Sequence, residues 1–345
     1  MPQRLDNKMV QIYSADNVEL AIKKSRKGKK CKRAIKRFDA DRKANTEKII
    51  KSLQDGTYRT SEYSHKKIYD PKEREISILP YNPDRVAQHA IIGVIEPDLV
   101  KKFIPQTYAC IKNRGIHRAL KVIRRDMRRD VEGTTYCLKI DIRHYYPSID
   151  HQIMKDAVRR MVKDPRLLPV LDNIIDSEDG LPIGNYSSQY LANVYLDRFD
   201  HWMKETMGVK YYYRYVDDIV VLSDSKPYLH NLLEKMRKEL EKYKLEVKGN
   251  YQVFPVEARG IDFLGYVIRH DYVLVRKRVK NNIKKKLQKC IDAGMTTKEM
   301  HDAMGSYYGW LKHCDSKHLI QTLNDKANGK VFQQGSSRPR RKMGR

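Results

Sequence analysis

The chain has 345 residues, with 70 Lys plus Arg against 43 Asp plus Glu, a formal net charge of +27. That length holds one large domain or two to three packed subdomains, and that charge points to a polyanionic partner, nucleic acid ahead of an anionic membrane surface. No apolar run approaches the roughly 20 residues that span a bilayer, and the N-terminus lacks a signal peptide's apolar core, so neither a membrane protein nor a secreted one is expected. The five cysteines, Cys31, Cys110, Cys137, Cys290 and Cys314, are scattered and form no C-x-x-C pair. Reduced thiols in a cytoplasmic protein are expected, with no zinc site.

Positions 23–37 carry ten Lys or Arg and no acid, beside apolar Val18, Leu20, Ile22, Ile35 and Phe38. This predicts an interrupted, basic helical region, with Lys23, Lys24, Arg26, Lys27, Lys29 and Lys30 as candidate phosphate contacts. Arg118, Lys121, Arg124, Arg125, Arg128 and Arg129 recur every three to four residues and share part of one helix surface. Within that cluster Arg124, Arg125 and Arg128 are the candidate contacts. The segment 135–141, TYCLKID, reads as a short strand ending on Asp141. An amphipathic helix is expected over 152–162, and the stripe of Leu191, Val194, Tyr195, Phe199, Trp202 and Met203 predicts a single helix over 188–207.

Two β-rich runs, 209–215 and 219–223, flank Val216-Asp217-Asp218 and read as a hairpin. A helix follows, marked by Leu229, Leu232, Leu233, Met236 and Leu240. Short strands are expected over 261–268 and 272–275, separated by a polar turn. After Arg276 the pattern is helical, with Thr296 and Glu299 at capping-box spacing. The Ser/Pro/Arg-rich tail, 335–345, is expected to be mobile. The whole reads as a mixed α+β body with a helical C-terminal subdomain.

An Asp-Asp turn alone is ordinary, because Asp side chains bond nearby backbone. Here the turn lies between apolar strands, a second strand also ends in a carboxylate at Asp141, and the rest of the chain is strongly basic. Carboxylates converging from separate strands repel one another unless a cation sits between them. Hard oxygen ligands favour magnesium, and two such ions can clamp the attacking and leaving oxygens of a phosphoryl transfer. The chemistry alone leaves polymerase and nuclease open.

A resemblance separates these two. YRYVDD resembles the YxDD box of reverse transcriptases, and CLKIDIRHYYPSID resembles their first palm motif. FLGY at 263–266 resembles the primer-grip region, and REISILPYNPDRVAQHAI at 74–91 resembles the fingers of intron-type enzymes. The likeness runs from about position 58 through SYYGWLKHCDS at 306–316. It implies an α+β right-hand polymerase, with fingers (58–134), a palm of antiparallel sheet backed by helices (135–275) and a helical thumb (276–330). A basic helical extension (1–57) would precede these and a basic flexible tail (331–345) would follow.

By the same resemblance, Asp141 and Asp217 ligate two Mg2+ ions with help from the Ile142 carbonyl, and Asp218 supports them. Tyr146 matches the steric gate against a 2′-OH. Arg74 and Arg85 match fingers residues that contact the triphosphate or template, and Lys248 matches a lysine that assists the leaving pyrophosphate. The expected partners are template RNA, primer or cDNA, and dNTPs.

The segment LPIGNYSSQYLANVYLD narrows the class. Most reverse transcriptases carry Q-G-x-x-x-S-P there, whereas this chain has Ile183, Gly184 and, in place of Pro, Gln189. Those departures resemble diversity-generating retroelement reverse transcriptases of bacteria and phages. These copy a template-repeat RNA with errors at adenines and work with a basic, pentameric accessory variability protein. Gly184 is expected to let the backbone approach the incoming nucleotide. A group II intron maturase is the alternative, although no His/Cys-rich nuclease module is evident. Retron enzymes fit less well, because no VTG motif follows the palm. An RNA-binding subunit without catalysis is a third reading, against which all three acids stand.

Overall fold

The computed structural model describes residues 3–28, 33–69 and 73–332. Lys29, Lys30 and the tail from 333 lie outside the described residues. The chain forms two compact units, each made of three stretches: 3–115, 139–221 and 230–252 in the first, and 116–138, 222–229 and 253–332 in the second.

In the first unit the hydrophobic helix Val86–Lys102 is buried on nearly every side, through Val86, Ala87, Ala90, Ile91, Ile92, Ile95 and Leu99. Such a helix belongs in a core. Ahead of it stands a hairpin of β1 (Ser64–Ile68) and β2 (Arg74–Ile78), antiparallel, with Ser64 opposite Ile78 and Ile68 opposite Arg74. Three further strands are β3 (Tyr136–Asp141), β4 (Tyr211–Tyr215) and β5 (Asp218–Ser223), side by side in the order β4-β5-β3. β4 is buried from Tyr211 to Arg214 and β5 from Ile219 to Leu222. Their continuous burial explains why these runs, Arg214 apart, are apolar instead of alternating.

The helix expected over 188–207 is three pieces. Ser188–Tyr195 is α-helical, the backbone loosens at Leu196 (φ −93°, ψ 4°), Asp197–His201 resumes, and Trp202–Thr206 is a π-turn. The apolar stripe survives because each piece keeps its buried face inward. Periodicity of side chains does not report a change in the hydrogen-bond step, here Met207 N–H to the Trp202 carbonyl at 2.9 Å.

In the second unit the Val256 N–H, just after β6 (Gln252–Pro255), donates to the Thr135 carbonyl at 2.8 Å. The run 261–268 is not one strand but two. β7 (Ile261–Phe263) and β8 (Tyr266–Ile268) turn at Leu264 and Gly265, both at positive φ (55° and 82°), and β9 (Val273–Val275) completes an antiparallel sheet. Two successive positive φ values suit a tight hairpin. A methyl on Gly265 would meet the Trp310 ring at 2.5 Å, so the position excludes a side chain on two counts. The helix Ile116–Arg129 buries Ala119, Leu120, Ile123 and Met127 and turns its arginines outward. The helix Thr297–Leu311 opens with the expected capping box between Thr296 and Glu299. No helix among the described residues is long and apolar enough to cross a membrane.

Candidate active site

The β4–β5 turn puts Asp217 and Asp218 at one end of the sheet, and the adjacent β3 delivers Asp141 there. The Ile142 N–H donates to the Asp217 carbonyl at 3.3 Å, which ties the end of β3 to the turn. Burial comes first in raising the Asp217 carboxyl to about 6, and the charges of Asp141 and Asp218 push the same way. Lys248 opposes them. Its ammonium lies 2.9 Å from Asp141 Oδ1, and its backbone N–H donates to the Asp141 carbonyl, also at 2.9 Å. The sequence thus places Asp141, Asp217, Asp218 and Lys248 together, although Lys248 comes from a charged stretch without a strong local signal.

These residues fit a hard divalent cation by chemistry. Three carboxylates share one sheet end, one of them held above its ordinary range by burial first and then by the repulsion of the other two, which a cation would relieve. Among the described residues no three His, Cys, Asp or Glu side chains stand in ready-made ligation geometry. The Lys248 ammonium holds one Asp141 oxygen instead.

The turn is itself constrained. Val216, β-branched, sits at φ 59°, a region such residues rarely occupy. Its carbonyl accepts from the Arg214 guanidinium at 2.9 Å. Arg214 is fully buried and makes a fork-to-fork pair with Asp200, Nε to Oδ1 at 2.7 Å and a second nitrogen to Oδ2 at 2.6 Å. Tyr212 and Thr107 donate to the same carboxylate at 2.6 and 2.7 Å. Sequence reasoning passed over Asp200 and Arg214. The available signal was a lone arginine inside the buried run YYYRY, which demands a carboxylate partner.

The Tyr146 ring stands edge-on to Tyr145 with centroids 5.7 Å apart. Burial, then the nearby Cys110 and Asp217, raise its phenol well above the usual range, so it is neutral. Gly184 is exposed and meets the protein's own backbone on one side. At φ 134°, a methyl there would lie 2.4 Å from the Ser77 carbonyl oxygen, so the close approach is to β2. The Ser77 N–H also donates to the Ile183 carbonyl at 2.9 Å. Ile183 is half-buried, and Gln189 is exposed on the helix that follows. The loop has a second anchor that sequence reasoning missed. Buried Gln88 accepts through Oε1 from the Tyr186 and Ser187 N–H groups at 3.2 and 3.4 Å. Arg74 is exposed on β2, and Arg85 is half-buried at the start of the core helix.

The basic clusters divide by partner. Lys23, Lys24 and Lys27 are exposed. Arg26 instead pairs with Asp39 at 2.5 Å. Arg124 pairs with Asp315 at 3.2 Å, Arg125 with Asp126 at 2.7 Å, and Arg128 donates to the Asp271 carbonyl at 3.0 Å. As phosphate contacts, Arg26, Arg124 and Arg125 are thus compromised by carboxylates that periodicity alone does not show. Arg118, Lys121 and Arg129 keep the exposed face of the same helix.

Comparison with known proteins agrees with this geometry. The profile of the family described as reverse transcriptase (RNA-dependent DNA polymerase) matches residues 65–268, more than half of the chain. Among curated relatives, protein YkfC of Escherichia coli K12 is 26% identical over 157 residues, 41% of this chain and 41% of that protein. The retron Ec73 reverse transcriptase of Escherichia coli is 25% identical over 64% of this chain and 72% of its own length. The group II intron-encoded protein LtrA of Lactococcus lactis is 25% identical over 45% of this chain, which spans only 28% of LtrA. Among solved structures, apo telomerase from Candida tropicalis superposes with a TM-score of 0.53 at 13% identity, over 78% of this chain and 59% of that one. Telomerase from Candida albicans, solved with a fragment of telomeric RNA, gives 0.50 at 10% identity, over 80% and 57%. The fold is the α+β right-hand polymerase fold. On its sequence profile and its folded architecture, this chain belongs to the reverse transcriptase family.

Proposed function

We propose that this chain polymerises DNA on an RNA template, with fingers at 58–134, palm at 135–275 and thumb at 276–330. The observation that carries the reading is the convergence of Asp141, Asp217 and Asp218 with Lys248 at one sheet end. Asp141 and Asp217 would hold two magnesium ions with the Ile142 carbonyl, and Asp218 would support them. When bound, such ions supply Lewis-acid stabilisation of the attacking 3′-oxygen and the leaving pyrophosphate. The chain's own groups would do the rest. Lys248 balances Asp141 and can protonate the departing pyrophosphate, while Arg74 and Arg85 steady the triphosphate or template. The test is primer extension by the purified protein on a defined RNA with dNTPs and MgCl2. Full-length cDNA supports the reading, and RNA binding without extension would leave an idle RNA-binding subunit.

Tyr146 would press against the sugar as a neutral, half-buried ring. Its replacement by Ala is expected to raise ribonucleotide incorporation relative to deoxyribonucleotide by tenfold or more, a difference of about 1.4 kcal/mol between the two sugars. Single-nucleotide kinetics checks this, and unaltered discrimination would make Tyr146 a packing residue.

The finer class we propose is the diversity-generating retroelement group, with error-prone copying at template adenines and a pentameric accessory protein as partner. Support comes from Ile183, Gly184 and Gln189, where Gln, Gly and Pro are usual. Ile183 cannot offer the side-chain hydrogen bond that Gln can. The expected outcome is misincorporation concentrated opposite template adenine, lowered in Ile183→Gln with extension retained. Sequencing cDNA from both enzymes on one template measures it, and an even spectrum in the wild type would favour an intron- or retron-type enzyme, to which the relatives are as similar.

The exposed cations would track the phosphate backbone. Replacing Arg118, Lys121 and Arg129 together by Gln should flatten the plot of log affinity against log salt on single-stranded RNA by about 2, at roughly 0.7 per contact. An unchanged slope in filter binding would show that this face is only solvated.

A further inference from the structure

We propose a second nucleic-acid contact in the first unit: a groove where Arg160 and Arg198 seat a phosphate of single-stranded RNA while Trp202 stacks on the adjoining base. It goes beyond polymerisation, because none of the carboxylates Asp141, Asp217 and Asp218 lines it. The groove encloses about 510 Å³ and is walled by the helix His151–Met161, the segment 198–206 and the end of the helix Lys226–Glu241. That volume admits one nucleotide with room to spare.

Two guanidinium groups converge there, and neither is tied to a carboxylate by an ion pair. Burial lowers the proton affinity of Arg160, the charge of Arg198 pushes the same way, and Tyr243, Asp156 and Asp197 oppose them. Among the described residues neither has an ion-pair partner, although the lining contains three acids. Those acids are engaged elsewhere: Glu205 with His201 at 2.6 Å, Glu239 with Lys242 at 2.6 Å, and Asp156 with the Gln152 amide at 3.1 Å. Asp197 also acts on Arg160, but burial raises its carboxyl to about 7, so it carries only part of a charge, and its Oδ1 lies 3.8 Å from His201 Nε2.

An unpaired guanidinium pair is strained by repulsion until an anion arrives, and planar guanidinium groups match phosphate in a bidentate way. The aromatic lining separates a nucleotide from a bare anion. Trp202 is half-exposed beside the arginines, and Tyr243 forms the floor. Phosphate beside an aromatic face is the common grammar of single-strand binding, with stacking worth roughly 1–3 kcal/mol per base. An acidic peptide would use the arginines and leave the indole without a role.

Trp202 is its own reporter. The chain has two tryptophans, so Trp310→Phe leaves the groove's indole alone. Uridine 5′-monophosphate and a five-nucleotide oligouridylate are titrated against that protein while tryptophan emission is followed. Saturable quenching is expected with both, and the apparent Kd should rise at least tenfold when Arg160 and Arg198 are both Gln. Arg198→Glu, an exposed change with little power to unfold the chain, should show the same loss, and circular dichroism confirms folding. Equal quenching with and without the arginines would overturn the proposal, as would quenching by an oligoglutamate peptide but not by either nucleotide. Primer extension that fails while this titration succeeds would count against the polymerase reading alone.

Discussion

Asn at position 217 is expected to abolish polymerisation, by on the order of a thousandfold or more, while RNA binding persists. The substitution keeps shape and removes one of the charges that would hold the ions. A second readout separates this from misfolding. Asp217 is raised to about 6, above the unfolded carboxylate value near 4. The folded state thus binds this proton more tightly than the unfolded one. Its contribution to stability is present below about pH 4 and is lost as pH rises through about 6. Without divalent ions, the wild type should therefore lose Tm across that window, while Asp217→Asn should lose less and melt a few degrees higher at pH 7.5. Magnesium should raise the Tm of the wild type and do little for the variant. Near-normal extension by Asp217→Asn would remove the assignment, and equal melting curves would remove the electrostatic account.

Breaking the Asp200–Arg214 pair is expected to be the most destabilising change in the first unit. Arg214→Met leaves a buried carboxylate, and Asp200→Asn leaves a buried guanidinium, each with side-chain exposure of 1% or less in the native state. Removing one partner of a buried pair costs roughly 3–5 kcal/mol. In a unit of this size that lowers Tm by roughly 10 °C. The double change Asp200→Leu with Arg214→Met should cost much less than the sum, because no charge is stranded. Polymerisation should fall in the two variants that remove Arg214, since the Val216 carbonyl loses the donor that holds the turn beneath Asp217. A single variant that melts within a degree or two of wild type would show that the pair is not required.

Much of the polymerase was legible because its signals are local. A strand that ends on Asp141 and a hairpin interrupted by Asp217-Asp218 announce themselves through composition over six or seven residues. The capping box at Thr296 and Glu299 does the same over four. What sequence hid depends on distant partners. Whether Arg124 is a phosphate contact depends on Asp315, far along the chain, and Arg26 is drawn to Asp39. The split at Leu264-Gly265 was hidden because Leu264 looks like a strand residue and only its φ marks the turn. Gly184 was read as a gap for substrate, because glycine reports close approach without naming what approaches.

That approach has a mechanical corollary. Ser77 grips the segment at 183–184 twice, by donating its N–H to Ile183 and by filling the space where a Gly184 side chain would stand. Gln88 pins Tyr186 and Ser187 to the core helix. The segment 183–187 is thus riveted at one end to a two-stranded lever and at the other to the core helix. A tilt of the β1–β2 hairpin cannot leave Ile183 behind. The hairpin and the segment around Ile183 therefore form one linkage.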